Sequence, residues 1–184
     1  MSDARVYLND LFGNEENTEK VITLLKTISK TPYEQADPPI VYVYGAGGNG
    51  KTTFLQMLDV LCNLNSIKHK WIKDFGEADY DADVFLMDDV ELTKKDVDDM
   101  KTFVAPGKTL FISGYKPIDE LMENNDGLKR RVLQLPFQRC YDSSVIYTDT
   151  DIVYLAAKVK LILYLEEKQA ERLERFRARN ASSN

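Results

Sequence analysis

A chain of 184 residues, 43% of them hydrophobic, can bury a core as one compact domain or as a core with small helical flanks, without disulfides or structural metals. Its net charge of −6 excludes a protein that coats duplex DNA with its whole surface, so any nucleic-acid contact must be local, in a groove or a ring lumen. Cys62 and Cys140 form no CxxC pair, no apolar run nears the roughly 18 residues of a membrane span, and MSDARVYLND is too acidic and polar for a secretory signal. The expectation is a soluble intracellular chain with reduced cysteines, not secreted and with no membrane partner.

In chain order, Val21, Leu24, Leu25 and Ile28 recur at helical spacing and predict a helix over 18–30, capped by Asn17 or Thr18. The three prolines of TPYEQADPP (31–39) break it and read as a linker. IVYVY (40–44) predicts a strand covered on both faces, and TTFLQMLDVLC after Lys51 predicts a helix. IKHKWIKD (67–74) predicts a more exposed strand. Its lysines and Trp71 suit either an alternating polar face or a stacking surface for a nucleic-acid strand, and His69 reads as a surface or packing residue.

VFLMDD (84–89) predicts a buried strand ending in acid, and Thr93 with Asp96 predicts a capping box opening the next helix. TLFIS (109–113) and VLQLPF (132–137) predict the last two strands, giving five in all. Strands alternating with helices imply a parallel, helix-covered α/β sheet. Residues 151–179 predict one long helix or two abutting ones, apolar in the first half and charged in the second, with pairs such as Glu171–Arg175. The expected division is a helical segment and linker over 1–38, a core over 39–140 and a helical segment over 141–184.

The chemistry concentrates at residues 45–52, Gly-Ala-Gly-Gly-Asn-Gly-Lys-Thr, which fit GxxxxGK[ST] at every fixed position between a predicted strand and a predicted helix. Glycines let successive N–H groups converge on phosphate oxygens, and the helix dipole adds positive potential there. The expected nucleotide-binding set is Gly45, Ala46, Gly47, Gly48, Asn49, Gly50, Lys51, Thr52 and Thr53. Lys51 is expected to reach the β and γ phosphates of ATP, and the Thr52 hydroxyl to bind Mg²⁺. Asp88 is expected to hold that Mg²⁺, directly or through water, and Asp89 to polarise the attacking water, with Glu91 in reserve. The next strand ends in Ser113-Gly114-Tyr115-Lys116-Pro117, where Ser113 can sense the γ-phosphate. Arg130 and Arg131 read either as surface charge or as arginine fingers that stabilise transition-state charge on a neighbouring subunit's nucleotide.

In this order, GAGGNGKTT, VFLMDD, LFISGYKP and RRVLQLPF resemble the motifs of superfamily 3 helicases, above all the primase-helicase ATPases of large DNA viruses, including poxviruses, and of some phages and plasmids. The resemblance covers roughly residues 40–137. It implies an AAA+-like P-loop NTPase core built on a central parallel five-stranded sheet, with small N- and C-terminal helical segments. It also implies a homo-oligomer in the form of a hexameric ring, single-stranded nucleic acid as track, and a host cytoplasmic or nuclear setting. Three departures accompany it. Gly114 stands where the family places asparagine. The segment after Asp89 is short and keeps only Lys94, Lys95, Lys101 and Lys108 to grip a strand. The chain is expected to lack the large N-terminal primase or origin-binding domain, as a stand-alone motor core or one recruited by a separate replication protein. The competing reading is a nucleotide-dependent assembly or switch protein that recruits partners without unwinding.

Overall fold

The computed structural model describes residues 2–28, 40–62, 67–68, 84–100, 109–138 and 148–181. In chain order the elements are α1 (Ser2–Phe12), α2 (Glu15–Ile28), β1 (Ile40–Tyr44), α3 (Lys51–Cys62), β2 (Ile67–Lys68), β3 (Val84–Met87), α4 (Lys94–Met100), β4 (Thr109–Gly114), α5 (Asp126–Arg131), β5 (Val132–Pro136) and α6 (Asp149–Ala181). Every strand pairing is parallel, in the order β2-β3-β4-β1-β5. Four strands of four to six residues make up the sheet, and β2 extends it at one edge by two residues only. Of the fifth strand expected over 67–74, the described residues show Ile67–Lys68. The rest of that stretch, with His69 and Trp71, lies outside the described residues, as do the linker 31–39, Lys101, Lys108 and Cys140.

Strand residues alternate between two apolar layers, as the period of two demands. Val41, Val43, Val84, Leu86, Phe111 and Leu135 face one layer, packed with α1, α2, α3 and α6. Ile40, Tyr42, Phe85, Met87, Leu110 and Ile112 face the other, with Val97 and Met100 of α4 and Leu128 of α5. The predicted N- and C-terminal helical segments thus share one core with α3. Phe12, Phe54 and Phe137 meet edge-on, with ring centroids 5.1–5.6 Å apart, and tie α1 and the end of β5 to α3 one turn past Lys51.

Local signals explain most boundaries. The capping box forms as expected: the Thr93 backbone N–H donates to Asp96 Oδ2 at 2.9 Å, and the Asp96 N–H donates back to Thr93 Oγ1 at 3.4 Å. The expected cap of α2 is corrected. Asn14 Oδ1 accepts the Asn17 N–H at 2.8 Å, so the helix starts three residues earlier, while Thr18 is buried inside it. The last element is one 33-residue helix, α6, whose Glu171 pairs with Lys168 at 3.0 Å and with Arg175 at 3.6 Å. No helix among the described residues is long and apolar enough to cross a membrane.

Tyr42, in the middle of the sheet and 2% exposed, donates its hydroxyl to the Lys116 carbonyl at 2.8 Å. Burial pushes its phenol up to about 12, with Tyr44 adding and the Lys116 carbonyl opposing. Above pH 10 the unfolded chain loses this proton while the folded chain keeps it, so stability falls as pH rises from about 10 to about 12. The slope expected from this one group is about 1.4 kcal/mol per pH unit. Urea unfolding at stepped alkaline pH should show that slope in the wild-type protein and a shallower one in Tyr42→Phe; equal slopes would exclude Tyr42 as its source.

Candidate functional site

β1 runs between β4 and β5, and its carboxyl end delivers the glycine-rich loop 45–50 directly to the first turn of α3. The chain leaving β1 crosses toward β2, whereas the chain leaving β4 crosses toward β5. The loop therefore sits where the connections diverge, the crevice that open parallel sheets use for ligands. Gly45, Gly48 and Gly50 all carry positive φ, which turns the backbone back on itself. A Cβ on Gly45 would stand 2.2 Å from Asn49 Nδ2 and 2.6 Å from the Phe137 carbonyl, so only glycine fits at the base of the loop.

Lys51 is 6% exposed, and its ammonium is folded onto the loop. It donates to Gly45 O at 2.8 Å, Ala46 O at 3.0 Å and Asn49 Oδ1 at 3.0 Å. Burial lowers its pKa, and the nearby carboxylates of Asp89 and Asp88 oppose that shift. Asn49, itself buried, also donates Nδ2 to the Phe137 carbonyl at 3.2 Å. Its amide thus orients Lys51 while the residue forms part of the crevice wall.

Asp88 and Asp89 follow β3 and reach the same crevice. Ser113, fully buried at the end of β4, donates its hydroxyl to Asp88 Oδ1 and accepts the Asp89 N–H at 2.8 Å. The Ser113 carbonyl accepts the Val90 N–H at 2.8 Å. Asp89 sits at φ 59, a left-handed conformation that aspartate tolerates better than most residues and that these two bonds hold in place. A cavity of about 460 Å³ results, lined by residues 47–53, Asp88, Asp89 and Tyr115. Gly45, Ala46 and Ser113 stand outside this lining: the first two accept from Lys51 through their carbonyls, and Ser113 donates to Asp88.

These residues fit a magnesium-bound triphosphate. The amino end of α3 and Lys51 supply positive potential for phosphate, and the Thr52 hydroxyl is exposed beside them. Among the described residues no three His, Cys, Asp or Glu side chains converge as a metal cage. One carboxylate and one hydroxyl suit Mg²⁺, which keeps waters and takes phosphate oxygens for the remaining positions.

The structure does not bring every candidate to this crevice. Val132 pairs with Ile40, at the amino end of β1, so Arg130 and Arg131 lie one strand length, roughly 13 Å, from the loop. Arg130 is exposed and donates Nε to the Asp126 carbonyl at 3.3 Å. Glu91 lines a neighbouring cavity of about 260 Å³ instead. Lys94 and Lys95 are exposed on α4. Sequence reasoning assigned no orienting role to the Asn49 amide or to the Phe137 carbonyl it binds. The asparagine inside the glycine run was the only signal, because a carbonyl acceptor has no sequence signature.

Comparison with protein-family models finds no match, and comparison with curated proteins finds none either. Among solved structures, the apo C-terminal region of NrS-1 (305–718) aligns with 87% of this chain and 44% of that chain, at a TM-score of 0.63 and 14% identity. An A-form apo structure of the same region aligns with 85% and 43%, at 0.63 and 13% identity. The chain thus spans less than half the length of the solved chains it matches. At these identities the likeness is one of fold: a small parallel sheet flanked by helices, shared with the NrS-1 C-terminal region.

Proposed function

We propose that this chain is an ATPase of the superfamily 3 helicase type, working as a ring motor on single-stranded nucleic acid. The observation that carries the reading is the convergence of three groups on one crevice: a glycine loop at the amino end of α3, the Lys51 ammonium, and the Asp88–Asp89 pair that follows β3, two strands from β1. The fold shared with the NrS-1 C-terminal region supports the same architecture.

In this reading Lys51 exchanges the oxygens of Gly45, Ala46 and Asn49 for those of the β and γ phosphates, which present more negative charge at similar reach. Asp88, oriented by the Ser113 hydroxyl, and Thr52 hold Mg²⁺, which supplies neutralisation of phosphate charge when bound. Asp89, in the cavity lining, would accept a proton from the water whose oxygen bonds to the γ-phosphorus while the bond to the departing ADP breaks. Arg130 and Arg131 stand too far away to serve their own subunit. Head-to-tail packing would give them the site of the next subunit, and such packing forms a ring when its rotation closes.

Steady-state ATP turnover with and without a single-stranded oligonucleotide tests the motor, with particle mass measured alongside. Strand-stimulated turnover by a ring is the expected result, and Arg130→Ala or Arg131→Ala should reduce it about 10³-fold or more while nucleotide still binds. Fast hydrolysis by both arginine variants would remove the finger assignment. Gly114 favours a second reading, because it leaves the family's asparagine position without a side chain. A nucleotide-dependent assembly switch would bind ATP and oligomerise, with turnover indifferent to the oligonucleotide.

A further inference from the structure

Tyr115 follows β4 and borders both cavities, with 45% of its surface exposed. Its ring lies over the Lys51 ammonium, 5.3 Å from nitrogen to ring centroid. Asp89 lines the same cavity as Tyr115, and its carboxylate raises the phenol pKa as hydrogen-bond partner and as negative charge, with Asp88 and Glu91 adding. One side chain therefore stands beside both groups that the crevice brings together, Lys51 from the start of α3 and Asp89 from the end of β3. Ser113, one residue before Gly114, already orients Asp88.

We infer that Tyr115 is a positioning residue of this site: its hydroxyl orients the Asp89 carboxylate, and its ring keeps Lys51 against the loop until phosphate oxygens take its place. The inference rests on the nucleotide-hydrolysing reading above. The two halves of the side chain act on different steps. The ring stabilises the nucleotide-free arrangement of Lys51, and an exposed cation–π contact contributes about 0.5–1 kcal/mol, so it weakens nucleotide binding about two- to fivefold. The hydroxyl acts on turnover alone, because the Asp89 carboxylate is engaged in proton transfer and not in phosphate binding.

Two variants separate these roles. Tyr115→Phe keeps the ring and removes the hydroxyl; its nucleotide affinity should stay within about twofold while kcat falls at least about tenfold, a fraction of what positioned proton transfer supplies. Tyr115→Ala should lose kcat similarly and bind a fluorescent ATP analogue about two- to fivefold more tightly than Tyr115→Phe. Wild-type kcat in Tyr115→Phe would overturn the hydroxyl's role, and equal affinities in the two variants would overturn the ring's. The contact is also decided without nucleotide. In protein labelled with ¹³C at the tyrosine ring, the Tyr115 signal should titrate above the ordinary phenol range, and Asp89→Asn should lower its midpoint; an unmoved midpoint would overturn the inference. Failure of the nucleotide reading looks different: wild-type and Lys51→Ala protein would bind the analogue equally, whatever the Tyr115 titration shows.

Discussion

Replacing Lys51 with alanine should reduce ATP turnover at least about 10²–10³-fold, the loss typical when one preorganised donor to transition-state charge is removed. The loss should be chemical and not structural. Lys51 is a buried cation whose partners are two loop carbonyls and the Asn49 amide oxygen. Once it is gone, the Ala46 position is exposed enough for water to reach these oxygens, and a buried charge no longer needs compensation. Unfolding free energy should therefore stay within about 1 kcal/mol of wild type while activity collapses. Turnover assays beside urea unfolding of the same protein check both halves. A variant that hydrolyses ATP at the wild-type rate would remove Lys51 from the chemistry.

The second large effect concerns Gly114. The family resemblance places asparagine there, so Gly114→Asn looks like a repair of the motif. The structure expects the opposite. A Cβ at 114 would lie 2.2 Å from the Tyr42 hydroxyl oxygen and 2.9 Å from the Val90 carbonyl. Neither neighbour yields readily: the Tyr42 hydroxyl is bonded to the Lys116 carbonyl, and the Val90 backbone to Ser113. Overpacking of this kind typically destabilises by about 1–3 kcal/mol, and a full asparagine beside a backbone oxygen should fall near 3 kcal/mol. Displacing β4 would also disturb the Ser113 hydroxyl that orients Asp88, so turnover should drop as well. A midpoint of urea unfolding unchanged from wild type would contradict this packing account.

That pairing shows where sequence reasoning stops. Tyr42 is legible as a strand residue and Gly114 as a departure from a motif, but nothing in either stretch states that a phenol fills the room the missing side chain leaves. Contacts between residues 72 positions apart are decided by register, here Tyr42 beside Ile112, and register follows from the assembled sheet. The features that were legible are local. VFLM followed by two acids reads as a buried strand delivering carboxylates to its end, and the glycines of residues 45–50 read as a tight turn from a strand into a helix, where Gly45, Gly48 and Gly50 do take positive φ. The cap of α2 was misplaced for a related reason. The apolar period starts at Val21 and suggests a cap just upstream, whereas the helix is extended to Glu15 by the turn that Gly13 makes after α1. The first half of α6 is nearly all apolar, yet it is not buried on every side. The structure buries Ile152, Ala156, Val159, Ile162 and Leu163 and leaves Val153, Leu161 and Tyr164 about half exposed, because one helix face suffices to cover α3.

Equilibrium binding of ATP with Mg²⁺ to the wild-type and Lys51→Ala chains tests most directly whether the crevice at the head of α3 holds a triphosphate. The account expects saturable binding of one nucleotide per wild-type chain and a loss of affinity of at least about tenfold in the variant, the worth of one charge-assisted contact to phosphate. Equal affinity in the two proteins, or no binding by the wild type, would contradict it.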